Sequence, residues 1–372
     1  MAKNRRILHI ASSPDFMNFT AEVFEEAAPG DNLFVGVDAD LNRLSSSVTL
    51  PVENLTSSRD GRDRLTQLVA QSRIAIFHNV GSSVVEALAT APPTVLKVWS
   101  GWGTDYYGST FDSDSGLLGP LTRQIVNRGR RPTFWAGRLI HKIQFDKLFR
   151  TAAHVTDVFS APIPGDLRVF KRRFPGFNGQ YSQLNYGSVE NSLATGPDRA
   201  IGNDILVGNS SAPTNNHLDV IGFLSTLELG DRHVVVPLSY GNRDYAESVL
   251  RECRNVLGER FIPITTFMPI NEYNDVLAQC GSVIMGHHRQ AGLGNVLRAI
   301  WQGSRVFLDA RNPIVQYLRE GGISVGILDE LPRAFPNERV SASEIETNRK
   351  FLDERWSRRA VMENVHALLN LA

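Results

Sequence analysis

Short runs rich in Val, Ile and Phe alternate with amphipathic helical runs along the whole chain, and the alternation starts twice. In the first half the strand-like runs are "RILHIA", "LFVGVD", "IAIFHNV", "TVLKVWS" and "VTDVFSA", with helical patterns such as "RDRLTQLVAQS" and "GSSVVEALAT" between them. In the second half they are "DILVGNS", "HVVVPLSYG", "FIPITT", "SVIMGH", "RVFLDA" and "ISVGIL". Strand–helix alternation of this kind predicts parallel sheets built from right-handed βαβ units. The rhythm breaks between Tyr186 and Asp204, a stretch rich in Gly, Ser, Asn and Asp without apolar periodicity. The chain therefore reads as α/β, with two Rossmann-like domains whose parallel sheets face across a cleft. Their expected bounds are 1–185, a linker at 186–204, and 205–341. A helical tail at 342–372 follows, and whether it packs back on the first domain stays open.

Composition narrows the function classes. The chain has 372 residues, 42% of them hydrophobic, which is enough core for two domains rather than one. The formal net charge is zero, which argues against a protein basic overall for nucleic acid. Cys253 and Cys280 form no Cys-x-x-Cys pair, so neither a disulfide framework nor a zinc ribbon is expected, and two cysteines suit a reducing compartment. The basic N-terminus leads into too few apolar positions for a signal peptide, and no run reaches the ~20 apolar residues of a membrane helix. A cytoplasmic protein is expected, with contact to a membrane surface left open.

In doubly wound sheets ligands sit beyond the C-terminal ends of the strands, so the residues after each strand carry the functional argument. After "DILVG" come Asn209, Ser210 and Ser211, leading into a helix. They suit an anion held by free N–H groups and hydroxyls, or plain N-capping. Tyr240 and Gly241 follow "VVVPLS", with Tyr240 as a stacking surface for a base or sugar, or as a wall. Phe267 and Met268 follow "FIPITT", against a nucleobase face or as core. "MGHHRQAGLGN" follows the fourth strand. His287 and His288 are neighbours that point to different sides of a regular element, and no acidic or cysteine residue completes a ligand set, so no metal is expected; they read as donor-side contacts, with a catalytic histidine as an alternative. Arg289, Gly292, Gly294 and Asn295 lie between a strand and a helix, where glycines allow close approach and the helix start attracts phosphate. Asn312 and Pro313 follow "RVFLDA" on the same edge.

In the first half Asp15 follows the first strand, and "VWSGWGTDYYG" carries Trp99, Trp102, Asp105 and Tyr107. Aromatics with one carboxylate suit a sugar, with Asp105 as general base and Asp15 behind it. A partly buried aromatic cluster with Asp105 as a cap fits equally. Asp112 and Asp114 read as a solvated loop. From Leu121 to Pro175 twelve Arg and Lys residues meet three aspartates. Arg128, Arg130, Arg131, Lys171, Arg172 and Arg173 represent this excess, which suits an anionic membrane or lipid phosphate at about 1 kcal/mol per basic residue near lipid.

Two Rossmann-like domains with phosphate-friendly loops in the second suggest a GT-B glycosyltransferase. The motifs "ILVGNSSAPTNNH", "VVVPLSYG", "EYNDVLAQCG", "RQAGLGNVLRAIWQGSRVFLDARNP" and "VWSGWGTDYYG" resemble the bacterial TDP-N-acetylfucosamine:lipid II N-acetylfucosaminyltransferase family, glycosyltransferase family 56. The resemblance spans most of the chain, is strongest from Ile205 to Pro313 and is weak near the N-terminus. It implies transfer of a TDP-activated acetamido-deoxy sugar to an undecaprenyl-diphosphate-linked saccharide in bacterial surface polysaccharide synthesis, by a peripheral enzyme on the cytoplasmic face of the inner membrane. It implies donor-site roles for Asn209, Ser210, Arg289, Gln290, Gly292, Gly294, Asn312 and Pro313, and no cofactor is expected. The chain departs from the family pattern around Ser211–Thr214 and at His287–His288, which bears on the identity of the sugar. Two other readings fit the architecture: a nucleotide-sugar 2-epimerase, and a two-domain solute-binding protein.

Overall fold

Each half of the alternation closes into its own all-parallel sheet. The computed structural model describes residues 7–14, 17–42, 51–108, 116–128 and 146–372. The first sheet is built from β1 (Ile7–Ala11), α1 (Met17–Ala27), β2 (Asn32–Val37), β3 (Val52–Leu55), α2 (Arg59–Ala70), β4 (Ile74–His78), α3 (Val85–Ala89) and β5 (Leu96–Ser100). After α4 (Pro120–Asn127), the chain continues with α5 (helical over 146–155), β6 (Val158–Ala161), α6 (Gly165–Arg173) and β7 (Gln180–Gln183). Its strand order is β3-β2-β1-β4-β5-β6-β7. Strands β1, β2, β4 and β6 are buried throughout, as expected of a sheet covered on both faces.

The second sheet comes from β8 (Asp204–Val207), α7 (His217–Leu224), β9 (Val234–Pro237), α8 (Arg243–Leu257), β10 (Phe261–Ile264), α9 (Ile270–Gln279), β11 (Cys280–Met285), α10 (Leu293–Gln302), β12 (Arg305–Leu308), α11 (Pro313–Glu320) and β13 (Gly326–Ile327). Its order is β10-β9-β8-β11-β12-β13. Two tail helices follow, α12 (Ala342–Trp356) and α13 (Arg358–Leu369).

The compact units do not follow the expected bounds. One comprises Met1–Tyr107, Arg131–Gly187 and Arg358–Ala372; the other comprises Gly108–Arg130 and Ser188–Ser357. The excursion carrying α4 belongs with the second sheet because Asp219 caps it from outside the helix. The Asp219 carboxylate accepts from Leu121 N at 2.9 Å and Thr122 N at 3.0 Å, satisfying first-turn donors that have no intrahelical partner. Asn216 accepts from Gly119 N at 2.9 Å and donates to Leu117 O at 3.1 Å. The stretch read as a linker is likewise structured from Ser188. Val189 and Leu193 are buried, and Arg298 of α10 donates to the carbonyls of Leu193 and Pro197.

The tail is two helices, because Ser357 takes an extended conformation after α12. In α12, Ile345, Phe351 and Leu352 are buried; Ile345 packs against Gly303 at the end of α10. In α13, Val361, Val365 and Leu368 join the core of the first sheet with Phe19 and Phe24 of α1. Arg358 pairs with Glu26, and Arg73 donates to Leu369 O at 3.1 Å.

Candidate functional site

The strand orders locate the reversals of both sheets. In the second, connections run one way from β8 to β9 and β10 and the other way from β11 to β12 and β13, so the loops after β8 and β11 part at a topological switch point. Those loops are "GNSSAPTNN" and "GHHRQAG".

The loop after β8 is braced from within. Gly208 has φ +73°, and a Cβ there would lie 2.6 Å from His217 Nε2, so only glycine fits. Asn215, fully buried, accepts from Asn209 N at 2.8 Å and donates to Ser210 Oγ at 3.2 Å. The Asn209 amide donates to Tyr240 OH at 3.3 Å, so Asn209 and Tyr240 share one edge. Ser211, expected at the ligand, is buried instead. Its hydroxyl donates to Tyr240 O at 2.8 Å, and its backbone pairs with Gly241. Gly241 (φ +119°) is required by that pairing, since a Cβ would lie 2.8 Å from Ser211 Oγ. Ser211 and Gly241 therefore shape the loop.

Arg289 is half-buried and Gln290 buried in the loop after β11. Gly292 starts α10 in the left-handed region at φ +64°, and a Cβ there would lie 3.5 Å from Asn209 Cγ, which brings the two loops side by side. Gly294 is different, since nothing lies within 4 Å of where its Cβ would be. Asn295 donates to Tyr273 OH at 2.8 Å. Asn312 caps α11 by accepting from Ile314 N at 3.0 Å, and its amide donates to His287 O at 3.2 Å; Pro313 takes the first helical position. Phe267 is 77% exposed and Tyr240 54%, with Met268 half-buried, so both aromatics offer open surface beyond β9 and β10.

The histidines have separate settings. His287 is buried, and its Nδ1 has no hydrogen-bond partner among the described residues. Burial, with Arg289 and His217 nearby, holds it well below the usual imidazole range. It is a neutral core group beneath the loop. His288 Nδ1 lies 2.6 Å from Gly116 O and must donate there; its Nε2 then accepts from Arg311 at 2.7 Å. That tautomer is neutral, in line with the downward shift that burial imposes. Arg311 is gripped by Asp309 through Nε at 2.8 Å and a terminal nitrogen at 2.7 Å. Burial pushes the Asp309 carboxyl up, but the hydrogen bonds from Arg311 outweigh it and hold the group below its ordinary value. His288 thus ties residue 116 to the β12 edge. Asn215, Asn216 and Asp309 escaped the sequence reading. Asn216 is signalled by a left-handed φ of +53°, which a sequence does not display.

The first sheet reverses between β1 and β4. Asp15 lies outside the described residues, as do Asp112, Asp114, Arg130 and Arg131. Asp105 accepts from Trp102 N at 3.1 Å and Gly103 N at 3.0 Å on one oxygen. The other oxygen takes Trp99 Nε1 at 2.7 Å and Val80 N at 3.3 Å. Burial raises its carboxyl to about 6 despite these bonds. Four donors occupy the lone pairs a general base would need, so the geometry makes Asp105 the anchor of the 101–107 turn. Trp99 corrects another expectation. It is fully buried against Phe170 and Phe174 and offers no face to a sugar. Trp102 is half-buried, edge-on to Tyr186 with centroids 5.8 Å apart. Tyr107 donates to the buried Asp166 at 2.7 Å.

Beside this turn runs a buried chain that the sequence reading missed. The Asn32 amide nitrogen donates to Phe24 O and Ala28 O, leaving its oxygen 3.3 Å from His9 Nε2. His9 Nδ1 then accepts from His78 Nε2 at 3.2 Å. Burial pushes His9 down to about 3 and His78 well below its usual range, so both are neutral. Of the basic candidates, Lys171 and Arg172 are exposed in the last turn of α6, where cations suit the helix dipole, and Arg128 is exposed after α4. Arg173 is partly committed to Asp146 at 2.5 Å. No group of three or more His, Cys, Asp or Glu among the described residues is placed to hold a metal ion, and no described helix is long and apolar enough to cross a membrane.

Comparison with solved structures agrees with this architecture. Anabaena HepE, solved in complex with UDP-glucose, is 12% identical, with 99% of this chain and all of that chain covered at a TM-score of 0.64. Sucrose-phosphate synthase from Thermosynechococcus elongatus is 10% identical, with coverage of 99% and 98% and a TM-score of 0.62. WaaG, described as a glycosyltransferase involved in lipopolysaccharide biosynthesis, is 14% identical, with coverage of 98% and 95% and a TM-score of 0.51. At these identities the likeness establishes the fold, which is GT-B. The sequence pattern of the family described as 4-alpha-L-fucosyltransferase, glycosyl transferase group 56, matches residues 136–351, more than half of the chain. The chain therefore belongs to the glycosyl transferase group 56 family of 4-alpha-L-fucosyltransferases and is a glycosyltransferase.

Proposed function

We propose that the second unit binds a nucleotide-activated sugar, most specifically a TDP-linked acetamido-deoxy sugar, and that the acceptor is an undecaprenyl-diphosphate-linked saccharide. The observation that carries the donor half is the switch point itself. There the Gly292-led start of α10 stands beside Asn209, with Arg289 in the loop before the helix and Ser210 next to Asn209 in sequence. Backbone N–H groups and the dipole of a ten-residue helix favour a diphosphate, and Arg289 adds a charge-assisted hydrogen bond. The same groups would offset charge on the departing diphosphate without a metal. Gln290, Asn295, Asn312 and Pro313 complete the donor side, His287 and His288 support it from below and beside, and Tyr240, Phe267 and Met268 supply surface for the base. The HepE structures were solved with UDP and UDP-glucose, which supports a nucleotide-sugar donor on this fold. Group 56 membership favours transfer over the epimerase and solute-binding readings.

Trp102 and Tyr107, set by the Asp105 turn, are proposed to face the acceptor. Lys171, Arg172 and Arg128 are proposed to meet an anionic membrane surface on the cytoplasmic side, with Arg173 contributing less. The donor reading is tested by thermal stabilisation with TDP, UDP and GDP. The expected result is the largest shift with TDP, and equal or absent shifts would refute it. For the membrane reading, Lys171→Glu with Arg172→Glu should sharply reduce flotation with anionic vesicles; flotation equal to wild type would count against it.

Gly294 offers a further test of donor placement. A Cβ meets nothing there, so Gly294→Ala should leave the melting temperature unchanged or raise it through helix propensity, by up to ~1 kcal/mol. Nucleotide diphosphate affinity should nevertheless fall, measured by titration, if the phosphate approaches this backbone. Unchanged affinity would place the ligand elsewhere.

A further inference from the structure

The edge of the second sheet where its strands begin carries a feature the donor reading does not use. An open-mouthed cavity of about 110 Å³ is lined by Arg199, Arg232 and Arg339, by Gly202 and Ser282 at the starts of β8 and β11, and by Gln302 at the end of α10. Glu338 is the carboxylate on its wall, and that side chain is 91% exposed and lies 3.7 Å from Arg305 outside the cavity.

Two of the arginines are held in place by neutral oxygens, while Arg199 is exposed at the rim. Arg232, only 8% exposed, donates to Leu229 O at 2.9 Å, Pro336 O at 3.1 Å and Asn337 Oδ1 at 2.8 Å. Arg339 donates to Ala200 O, Ile201 O and Asn203 Oδ1. These bonds fix the two guanidinium groups, and Arg232 also lies over the Phe335 ring at 5.3 Å, but neither has a carboxylate ion-pair partner among the described residues. For the buried Arg232, leaving water costs free energy that neutral acceptors and a ring face recover only in part, and the like charges of the exposed Arg199 and Arg339 at the same cavity add to the cost. An anion offsets both. Gln302 gives an independent sign of a missing partner: its Nε2 is spent on Leu277 O and Ser304 Oγ, and its buried Oε1 has no partner among the described residues.

We propose that this cavity is a second anion site, taking a phosphate- or diphosphate-bearing small molecule whose hydroxyl or amide group can also donate. It lies across the sheet from the donor loops, at the other ends of β8 and β11. It does not depend on the donor reading.

The test titrates inorganic pyrophosphate into the full-length protein by calorimetry, in an Arg289→Ala background that removes the proposed strand-end grip. Pyrophosphate binding should persist in that background and weaken at least tenfold on adding Arg199→Glu. Arg199 is exposed, so the reversal leaves the core intact. Arg339→Gln, which keeps part of the hydrogen bonding, should weaken it in the same direction. If binding stays within twofold in both variants while the melting transition is preserved, or if the Arg289→Ala protein binds no pyrophosphate, the proposal is overturned. Should Arg289→Ala leave total binding unchanged while Arg199→Glu abolishes it, the donor reading fails and this site stands. Competition by soluble glucose 1-phosphate identifies a soluble ligand, whereas competition by vesicles containing phosphatidic acid identifies a lipid headgroup.

Discussion

Arg289→Ala should weaken binding of a nucleoside diphosphate by one to two orders of magnitude and leave the free nucleoside within about twofold. A hydrogen bond to a charged group in a protected site is worth about 1.5–3 kcal/mol, which corresponds to roughly 10–150-fold in affinity. The discrimination follows from geometry. Arg289 sits in the loop before α10, whereas the exposed aromatic surfaces of Tyr240 and Phe267 lie beyond β9 and β10. On the proposed donor placement, a nucleoside without phosphates would contact only the latter. Equal losses for the two ligands would refute the phosphate role, and the comparison is made by titration calorimetry on one preparation.

Asp105→Ala should have the largest effect on stability. Four donors converge on this carboxylate, three of them backbone N–H groups and one the indole of the buried Trp99. A buried donor left unpaired costs about 1–3 kcal/mol. With some water entry, a net loss on the order of 3–5 kcal/mol is expected, or roughly 10 °C in the melting transition of a unit this size. Asp105→Asn keeps one acceptor and should lose about half as much. The pH dependence has a definite sign. The folded-state carboxyl stands at about 6, above its ordinary value of 3.8, because burial disfavours the anion. Its contribution to stability is therefore full below about pH 4 and is lost as pH rises through about 6. Wild-type melting temperature should fall across that window relative to Asp105→Asn. Parallel curves for the two proteins would show that the carboxyl does not titrate there.

The contrast between Asp105 and Arg289 shows where sequence reasoning reached its limit. Both follow a strand on the functional edge. For Arg289 the neighbouring Gly292 and helix start are local in sequence, so the arrangement could be read directly. For Asp105 the turn's own donors are local, but Val80 reaches it from the loop after β4, and how the four donors converge shows only in the fold. Trp99 misled for a similar reason: an aromatic at a strand end suits a sugar as well as a core, and burial against Phe170 and Phe174 decided between them. His9 and His78 lie 69 positions apart and meet only because β1 and β4 are neighbours in the sheet.

The elements show the same division. All six strands of the second sheet carry apolar runs and were legible. β3, "VENL", and β7, "QYSQ", are edge strands, partly exposed and polar, with no run to find.

By itself the sequence determined the parallel α/β class, the two sheets, the family and the strand–glycine–helix order at "RQAGLGN", because periodicity, motif order and helix-start signals are local properties. Only the tertiary structure decided that residues 108–130 and α12 belong with the second sheet while α13 belongs with the first. It also decided that His288 is a tie to Gly116 and Asp105 an anchor. The physical reason is common to these cases. A polar side chain's role is set by which donors and acceptors reach it: for His288 the partner is 172 residues away, and for Asp105 three nearby donors are joined by Val80 from 25 residues back.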